Sequence, residues 1–493
     1  MKNESKVSKV LSILLSVVLV VSSFYLLYQV IRLNVLPTKF LFPLTIGVVV
    51  LDAIFILLLV YFSKNVVSKI ICIVLTLFIC AASCFGGYYI SKTQNVLSSI
   101  TNVAKHAKNT VSVVVKESSS IKNKSQLNGV SVGSLRLNEQ GSKKALKELS
   151  SEGIVLNQTE YDSMTALLEA FYNGEVDSII INESSRSQIL DMEAYSNFDS
   201  NTRVVYQTSY KVKNNDSATS VSDITSKPFN VLISGSDTRG GFDENGRSDV
   251  IMIATVNPKT HTILLTSVPR DFYVTTACDA GDGCMQGALD KITHTGIHGT
   301  NTTKRTVEQL LGIEINYTFK VGFDTVTELV DVLGGVDVYV EPGYATTTSQ
   351  FSVHEGVNHL NAQQALAFAR ERYSYTEGDR QRTKNQQQVL MGIVKEATKP
   401  SVITNYAAIM DTMANTFSTT MSNEEITDLI KYQLNNNPTW KMEQYMVDGT
   451  GDTLMCAELG DAASVMVPDQ STVKMAKDKI NAVLAGKSSE DVK

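Results

Sequence analysis

Residues 368–388 read FARERYSYTEGDRQRTKNQQQ, and Arg370, Arg372, Arg380 and Arg382 crowd into this stretch of a slightly acidic chain. Arginine presents a planar fork that grips phosphate oxygens through two parallel hydrogen bonds, and it stays charged. Gathering guanidiniums is unfavourable unless an anion is regularly present, so the spacing points to phosphate chemistry. Arg370 and Arg372 are two apart and cannot share a face of one helix. They converge on one anion only if the chain leaves helical geometry near Tyr373. Arg382 and Gln386 are four apart and share a face of the next helix. Glu371, Glu377 and Asp379 offer a plainer reading, local salt bridges on a solvated face.

Two upstream stretches carry compatible chemistry. SGSDTRGGFDENGRSD (234–249) holds Asp237, Arg239, Arg247 and Asp249 among glycines and serines that allow close backbone approach. Two carboxylates in oxygen-rich surroundings suit a hard cation such as Mg²⁺, or its close substitute Mn²⁺, sharing phosphate oxygens. Alone, the stretch reads as an Asx-rich surface turn. SVPRD (267–271) places Arg270 after an apolar strand and a proline; alone it is a surface arginine. A pyrophosphate with Mg²⁺ balances the arginines and two aspartates together, and the same arrangement stabilises charge on a leaving phosphate. No rival set competes. His106, His261, His294, His298, His354 and His359 lack a Ser or Cys nucleophile elbow beside them, and there is no P-loop. The six cysteines form no CxxC and no zinc-site spacing. Cys278 and Cys284 share a short loop and can pair if it faces an oxidising compartment.

These residues need elements to position them. The chain has 493 residues, room for two or three domains, and its net charge of −6 gives no basic footprint for nucleic acid. Val10–Val30, Phe40–Phe62 and Ile70–Ile90 are apolar stretches, each near the ~20 residues that span hydrocarbon. Three in succession do not fit a cleaved signal peptide. Lys2, Lys6 and Lys9, with Lys64 and Lys69, outnumber Arg32 and Lys39 in the first loop, so a cytoplasmic N-terminus is expected. The expectation is a multi-pass cell-membrane protein whose chain after about residue 92 is extracellular. Asp52, inside the second span, reads as a helix-packing residue.

The expected organisation is α/β throughout the extracellular part. Residues 1–92 hold three transmembrane helices and 93–127 a juxtamembrane helix and linker. Residues 128–212 read as a small accessory α/β domain in strand–helix–helix–strand order, loosely resembling one lobe of a periplasmic solute-binding protein. A polar linker follows at 213–227. Residues 228–399 alternate strands and helices around the arginine motifs, and 400–487 add helices and a strand or two packing on that core.

Taken in order, NVLISGSDTR, GRSDVIMIATVNPKT, LLTSVPRDFYV, DKITHTGIHG, LLGGVDVYV, LNAQQALAFARERY and GDRQRTKNQQQVL closely resemble the LytR-CpsA-Psr family of bacterial cell-envelope proteins. The resemblance covers about 228–395. The three spans and the extra domain look like its streptococcal capsule-associated CpsA branch. The resemblance implies a twisted central sheet flanked by helices, with a long apolar pocket for a polyprenyl chain. It implies a Mg²⁺-dependent glycan-phosphate transferase, moving capsular polysaccharide from an undecaprenyl-pyrophosphate carrier onto peptidoglycan through a phosphodiester. Carried over residue by residue, the metal aspartates are Asp237 and Asp249. The catalytic and phosphate-binding set is Arg247, Arg270, Arg370, Arg372 and Arg382, with Gln386, and Asp379 sits where a base for the acceptor hydroxyl is expected. One of Lys291, Lys304 and Arg305 is expected to join them. Arg380 falls outside the pattern and reads as a surface residue. The sequence departs from commoner family patterns at Lys384 and Asn385. Two other readings are a membrane-anchored regulator of capsule synthesis working through other capsule-assembly proteins, and a polyprenyl-pyrophosphate binder or pyrophosphatase. The cytoplasmic parts are too small for a DNA-reading fold.

Overall fold

The computed structural model describes residues 6–62, 65–101, 106–136, 139–236, 244–279, 284–399, 402, 408–409, 412 and 417–493. They divide into two compact units. One comprises Met1–Thr101, Glu396–Ala414 and Ser422–Thr439, the other Asn102–Lys395, Asn415–Met421 and Trp440–Lys493.

In the first unit, α1 (Lys6–Leu33), α2 (Thr38–Leu57) and α3 (Val66–Thr101) follow one another. All three are long and apolar enough to cross a membrane. Val10, Leu14, Phe24 and Ile31 on α1 are exposed, as a lipid-facing surface requires. Between helices, the Ser23 hydroxyl donates to Asp52 Oδ1 at 2.9 Å, which gives Asp52 its packing role. The helix Asn423–Asn436 belongs to the same unit. Its Lys431 Nζ donates to Asn34 Oδ1 at 2.8 Å, its Asn435 carbonyl accepts from Lys39 Nζ at 2.6 Å, and Thr101 Oγ1 donates to Asn423 Oδ1. The turn after α1 and the end of α3 therefore meet one helix on one side. This corrects the expectation that 400–487 packs as a whole on the arginine-bearing domain.

The second unit opens with an accessory domain that starts earlier than expected. Residues 93–127 are not helix and linker alone: α3 runs to Thr101, and β1 (His106–Lys116) is a strand. Its VSVVV run is β-branched and buried at Val111 and Val113–Val115, as a strand inside a sheet requires. Polar flanks hide it in the sequence. Then come β2 (Ser131–Leu135), α4 (Glu139–Ser151), β3 (Asn157–Tyr161), α5 (Met164–Asn173), β4 (Ser178–Asn182), α6 (Arg186–Asp191), α7 (Phe198–Asn201) and β5 (Thr202–Lys213). The sheet order is β3-β2-β4-β1-β5. β2 is parallel to β3 and β4, and β1 is antiparallel to β4 and β5. The order is thus strand–helix–strand–helix–strand after β1. β3, NQTEY, is an exposed polar edge strand without an apolar signal.

After a stretch without regular elements, β6 (Phe229–Ser236), β7 (Ser248–Asn257) and β8 (Thr262–Val268) form an antiparallel meander. β9 (Tyr273–Thr275) and β10 (Leu289–Lys291) pair in a small hairpin. α8 (Thr300–Leu311), β11 (Tyr317–Gly322), α9 (Phe323–Leu333) and β12 (Val336–Val340) follow, then β13 (Thr346–Thr347), β14 (Ser352–Val353) and β15 (Gly356–Leu360). α10 (Ala362–Arg370) and α11 (Asp379–Ala397) carry the arginine stretch. The chain ends with β16 (Phe417–Thr419), β17 (Lys441–Met446), β18 (Gly449–Cys456), β19 (Asp461–Pro468) and α12 (Gln470–Leu484). The main sheet has the order β16-β11-β6-β7-β8-β17.

That sheet has two apolar faces, because successive strand residues point to opposite sides. Leu232, Ile251, Ile253 and Leu264 pack on Val307 and Leu311 of α8 and on Val473, Ala476 and Ile480 of α12. The alternate residues Ile233, Val250 and Met252 face a cleft shared with α10 and α11. β6 and β7 lie close there: a Cβ on Gly235 would stand 2.8 Å from the Val250 Cβ. Only glycine fits at that crossing.

Candidate functional site

Three ends of the fold deliver the charged residues. β7 begins just after Arg247 and carries Asp249, β8 leads through Pro269 to Arg270, and the α10–α11 connection carries Arg370 to Arg382. α10 stops at Arg370: Glu371 is extended, with φ −69° and ψ 127°. The helix thus breaks just before Arg372, slightly earlier than the break near Tyr373 that the spacing suggests. Gly378, at φ +54°, turns the chain into α11, a conformation other residues adopt only with strain. The last carbonyls of α10 lack helical partners. Asn385 Nδ2 donates to the Phe368 carbonyl at 3.1 Å and Gln386 Nε2 to the Ala369 carbonyl at 3.3 Å. The two amides therefore set where the arginines emerge from α10.

The charges interlock. Arg270 Nη1 donates to Asp249 Oδ1 at 2.8 Å, and its Nε lies 3.7 Å from Asp271 Oδ2. Lys291 Nζ reaches Asp271 Oδ1 at 3.3 Å. Arg382 pairs with Asp379, one turn earlier on α11. Arg372 stacks on Tyr373, 4.7 Å from its ring centroid, and donates to the Tyr373 hydroxyl at 2.6 Å. Burial opposes the charge on Arg270, but Asp249, Asp271 and Asp379 overcome it and raise its pKa. Arg382 goes the other way. Burial lowers its pKa, and repulsion from Arg270 and Arg372 adds to this against the pull of Asp379 and Asp249. Asp249, Arg270, Arg372, Asp379 and Arg382 therefore share one electrostatic neighbourhood.

The cluster leaves some of its buried donors unmatched. Among the described residues, Arg247, Arg270 and Arg382 each bury an Nε with no hydrogen-bond partner. An orphaned buried donor is costly, and for a guanidinium the natural partner is an anion. Next to the cluster lies an apolar cleft of about 630 Å³, open mouth included. Val250, Met252, Val321, Val326, Leu366, Leu390 and Ile393 line it, with Ser236 and Gln386 as its polar members. Gln386 thus belongs both to the wall of the cleft and to the helix face of Arg382.

The other expected residues separate clearly. Lys291 joins the cluster through Asp271. Lys304 is buried and donates to the Ser217 carbonyl, and Arg305 pairs with Asp279. Arg370 is exposed at the end of α10. Arg380 bridges to Asp448 at 2.7 Å on the surface. Arg247 engages Asp191 of the accessory domain. Asp237 lies outside the described residues. Cys278 and Cys284 form a disulfide. Sequence reading missed Asp271, Asn385, Tyr373 and Asp191. Asp271 directly follows Arg270 and Tyr373 directly follows Arg372, signals available in hindsight; Asp191 has none.

The metal expectation can be tested on the donors. Among the described residues no group of three or more His, Cys, Asp or Glu side chains gathers as a metal cage. Arg270 takes only Oδ1 of Asp249. Ser236 pairs in register with Ser248, beside Asp249, and its buried Oγ has no hydrogen-bond partner among the described residues. One carboxylate oxygen and a hydroxyl, with phosphate oxygens and waters, suit Mg²⁺, which rarely uses an all-protein cage.

The family model described as "LytR_cpsA_psr family" matches residues 194–482. The polyisoprenyl-teichoic acid–peptidoglycan teichoic acid transferase TagU of Bacillus cereus is 31% identical over 241 residues, 48% of this chain and 76% of the relative. The protein of that name from Bacillus subtilis is 34% identical over 203 residues, 41% of this chain and 63% of the relative. The crystal structure of B. subtilis TagU aligns with a TM-score of 0.41 at 28% identity, covering 52% of this chain and 97% of that one.

Proposed function

The chain belongs to the LytR-CpsA-Psr family, and from that premise we propose that it is a membrane-anchored, extracytoplasmic glycan-phosphate transferase. On this reading it moves capsular polysaccharide from an undecaprenyl-pyrophosphate carrier onto peptidoglycan. The observation that carries the reading is the pair of buried Nε groups on Arg270 and Arg382 that donate no hydrogen bond among the described residues, beside an apolar cleft. A lipid pyrophosphate has both halves, an anion for the arginines and a chain for the cleft. The relatives named as polyisoprenyl-linked polymer transferases support the same class of substrate.

Arg270, Arg372 and Arg382 grip the pyrophosphate oxygens, with Arg247, Arg370 and Gln386 completing the set. Lys291 holds Asp271, which steadies Arg270. Mg²⁺ would be held by Asp249 with Asp237 and would neutralise phosphate charge. A sugar hydroxyl of the acceptor attacks the phosphorus that bears the glycan. Asp379 accepts its proton, the bond to the bridging oxygen breaks, and undecaprenyl phosphate leaves with that oxygen. The product is a phosphodiester between glycan and wall. The guanidiniums stabilise charge on the leaving phosphate.

Two features support the location. A disulfide suits an oxidising compartment. Three apolar helices, with the turn after α1 and the end of α3 meeting one helix, suit an odd number of crossings. The test is Arg372→Ala with Arg382→Ala in a strain lacking related enzymes. The folded variant should shed polymer into the medium; normal wall attachment would sink the assignment.

A further inference from the structure

Arg247 is held by the accessory domain, although Asp249, two residues on, belongs to the arginine cluster. Arg247 Nη1 pairs with Oδ2 of Asp191, the last residue of α6. The partners differ in depth: the Arg247 side chain is 12% exposed and that of Asp191 55%. The guanidinium sits inside and the carboxylate reaches it from the solvent side. Among the described residues the buried Arg247 Nε has no hydrogen-bond partner, so that edge of the fork is open to another acceptor. Arginine pairs with carboxylate or phosphate are frequently bidentate, and this one is not.

Asp191 stands on a rigid base. Arg186, at the start of α6, donates from Nε and Nη2 to both Glu183 oxygens at 2.6 and 2.8 Å, and from Nη1 to Asp199 at 3.0 Å. Ile189 of α6 is fully buried. The accessory domain also grips the segment leading to Arg247. The Thr110 hydroxyl donates to Glu244, and Lys108 Nζ lies 3.4 Å from the same carboxylate. At a separate point, the Met164 amide donates to the Leu459 carbonyl at 2.9 Å and the Thr165 hydroxyl to Asp461. The approach of Asp191 to Arg247 is thus fixed by a docked domain.

We propose that Asp191 is an internal stand-in for phosphate: it occupies Arg247 while the site awaits substrate and yields it to the lipid-linked pyrophosphate. This rests on the reading of Arg247 as a phosphate ligand. The arriving group carries more charge than a carboxylate and uses both edges of the fork. Weak anions, with a single charge, do not displace Asp191 as readily. The accessory domain thereby contributes a specificity-determining residue to the transferase site.

The test is isothermal titration of the full-length chain in detergent with geranylgeranyl pyrophosphate and Mg²⁺. Asp191→Asn should tighten binding by about two- to five-fold, the share that a solvent-exposed carboxylate claims on a guanidinium. Arg247→Ala should weaken binding, and adding Asp191→Asn to it should then change nothing. Unchanged or weaker binding in Asp191→Asn, with Arg247→Ala weakened, overturns the stand-in and leaves Arg247 as a phosphate ligand. Unchanged binding in Arg247→Ala, with Arg270→Ala weakened, overturns the role of Arg247 and the stand-in together while the pyrophosphate site stands. An Asp191→Glu variant that tightens binding as much as Asp191→Asn also overturns the proposal, because charge would not be the cause.

Discussion

Replacing Arg382 with methionine separates a functional charge from a structural one. The Arg382 side chain is 14% exposed; it pairs with Asp379, and among the described residues its Nε has no hydrogen-bond partner. Burial, then repulsion from Arg270 and Arg372, holds its pKa below the ordinary arginine value, so the charged form weighs against the fold. Exchanging a poorly compensated buried ion for an apolar side chain of similar length is neutral to about 4 kcal/mol stabilising. Asp379, 32% exposed, loses its partner, which returns on the order of 1 kcal/mol. The expected net runs from about 1 kcal/mol lost to about 3 kcal/mol gained, read as a shift in the urea midpoint of the detergent-solubilised chain without ligand. Binding should move oppositely. Losing charge-assisted hydrogen bonds costs about 1.5–3 kcal/mol, roughly 10- to 150-fold in affinity for geranylgeranyl pyrophosphate. A variant more than about 2 kcal/mol less stable, with unchanged binding, would refute the reasoning and make Arg382 a structural ion.

Leu390→Trp, in the cleft wall, should weaken geranylgeranyl pyrophosphate about 5- to 150-fold, since overpacking costs about 1–3 kcal/mol. Inorganic pyrophosphate should be unaffected, and equal loss for both probes in parallel titrations would show that the cleft does not take the chain. Asp216→Asn should stabilise the protein above neutrality. Burial of Asp216, whose Oδ1 has no hydrogen-bond partner among the described residues, pushes its pKa from 3.8 to about 6 despite Lys320 and Lys304. A raised carboxylate pKa destabilises progressively as pH climbs from about 4 to 6 and fully above that, so the variant should gain about 1–3 kcal/mol at pH 7.5 and nothing near pH 4. Urea midpoints across that range check the sign.

Legibility in the sequence followed the length and clarity of local patterns. The three membrane-length helices and the β7–β8 hairpin announce themselves through long apolar runs. β1 does not, because HAKN and a following Lys-Glu-Ser stretch dilute VSVVV. β3 does not, because an exposed edge strand needs no apolar face. That residues 422–439 group with the membrane-length helices depends on contacts such as Lys431 with Asn34, hundreds of residues apart in sequence. The arginines of α10 and α11 were legible as a group by their density, but choosing among Lys291, Lys304 and Arg305 required knowing that β10 lies beside Asp271. Asp191 was invisible for the same reason: nothing in QILDM marks an aspartate that meets an arginine more than fifty residues later.

The most direct test of the central claim is reconstitution. The purified full-length chain is mixed with a polyprenyl-pyrophosphate-linked glycan, peptidoglycan fragments and Mg²⁺, and the products are followed by mass spectrometry. The account predicts a glycan–peptidoglycan phosphodiester appearing in equal amount with prenyl monophosphate. Prenyl monophosphate with free glycan phosphate, and no joined product, would contradict it and establish a pyrophosphatase instead.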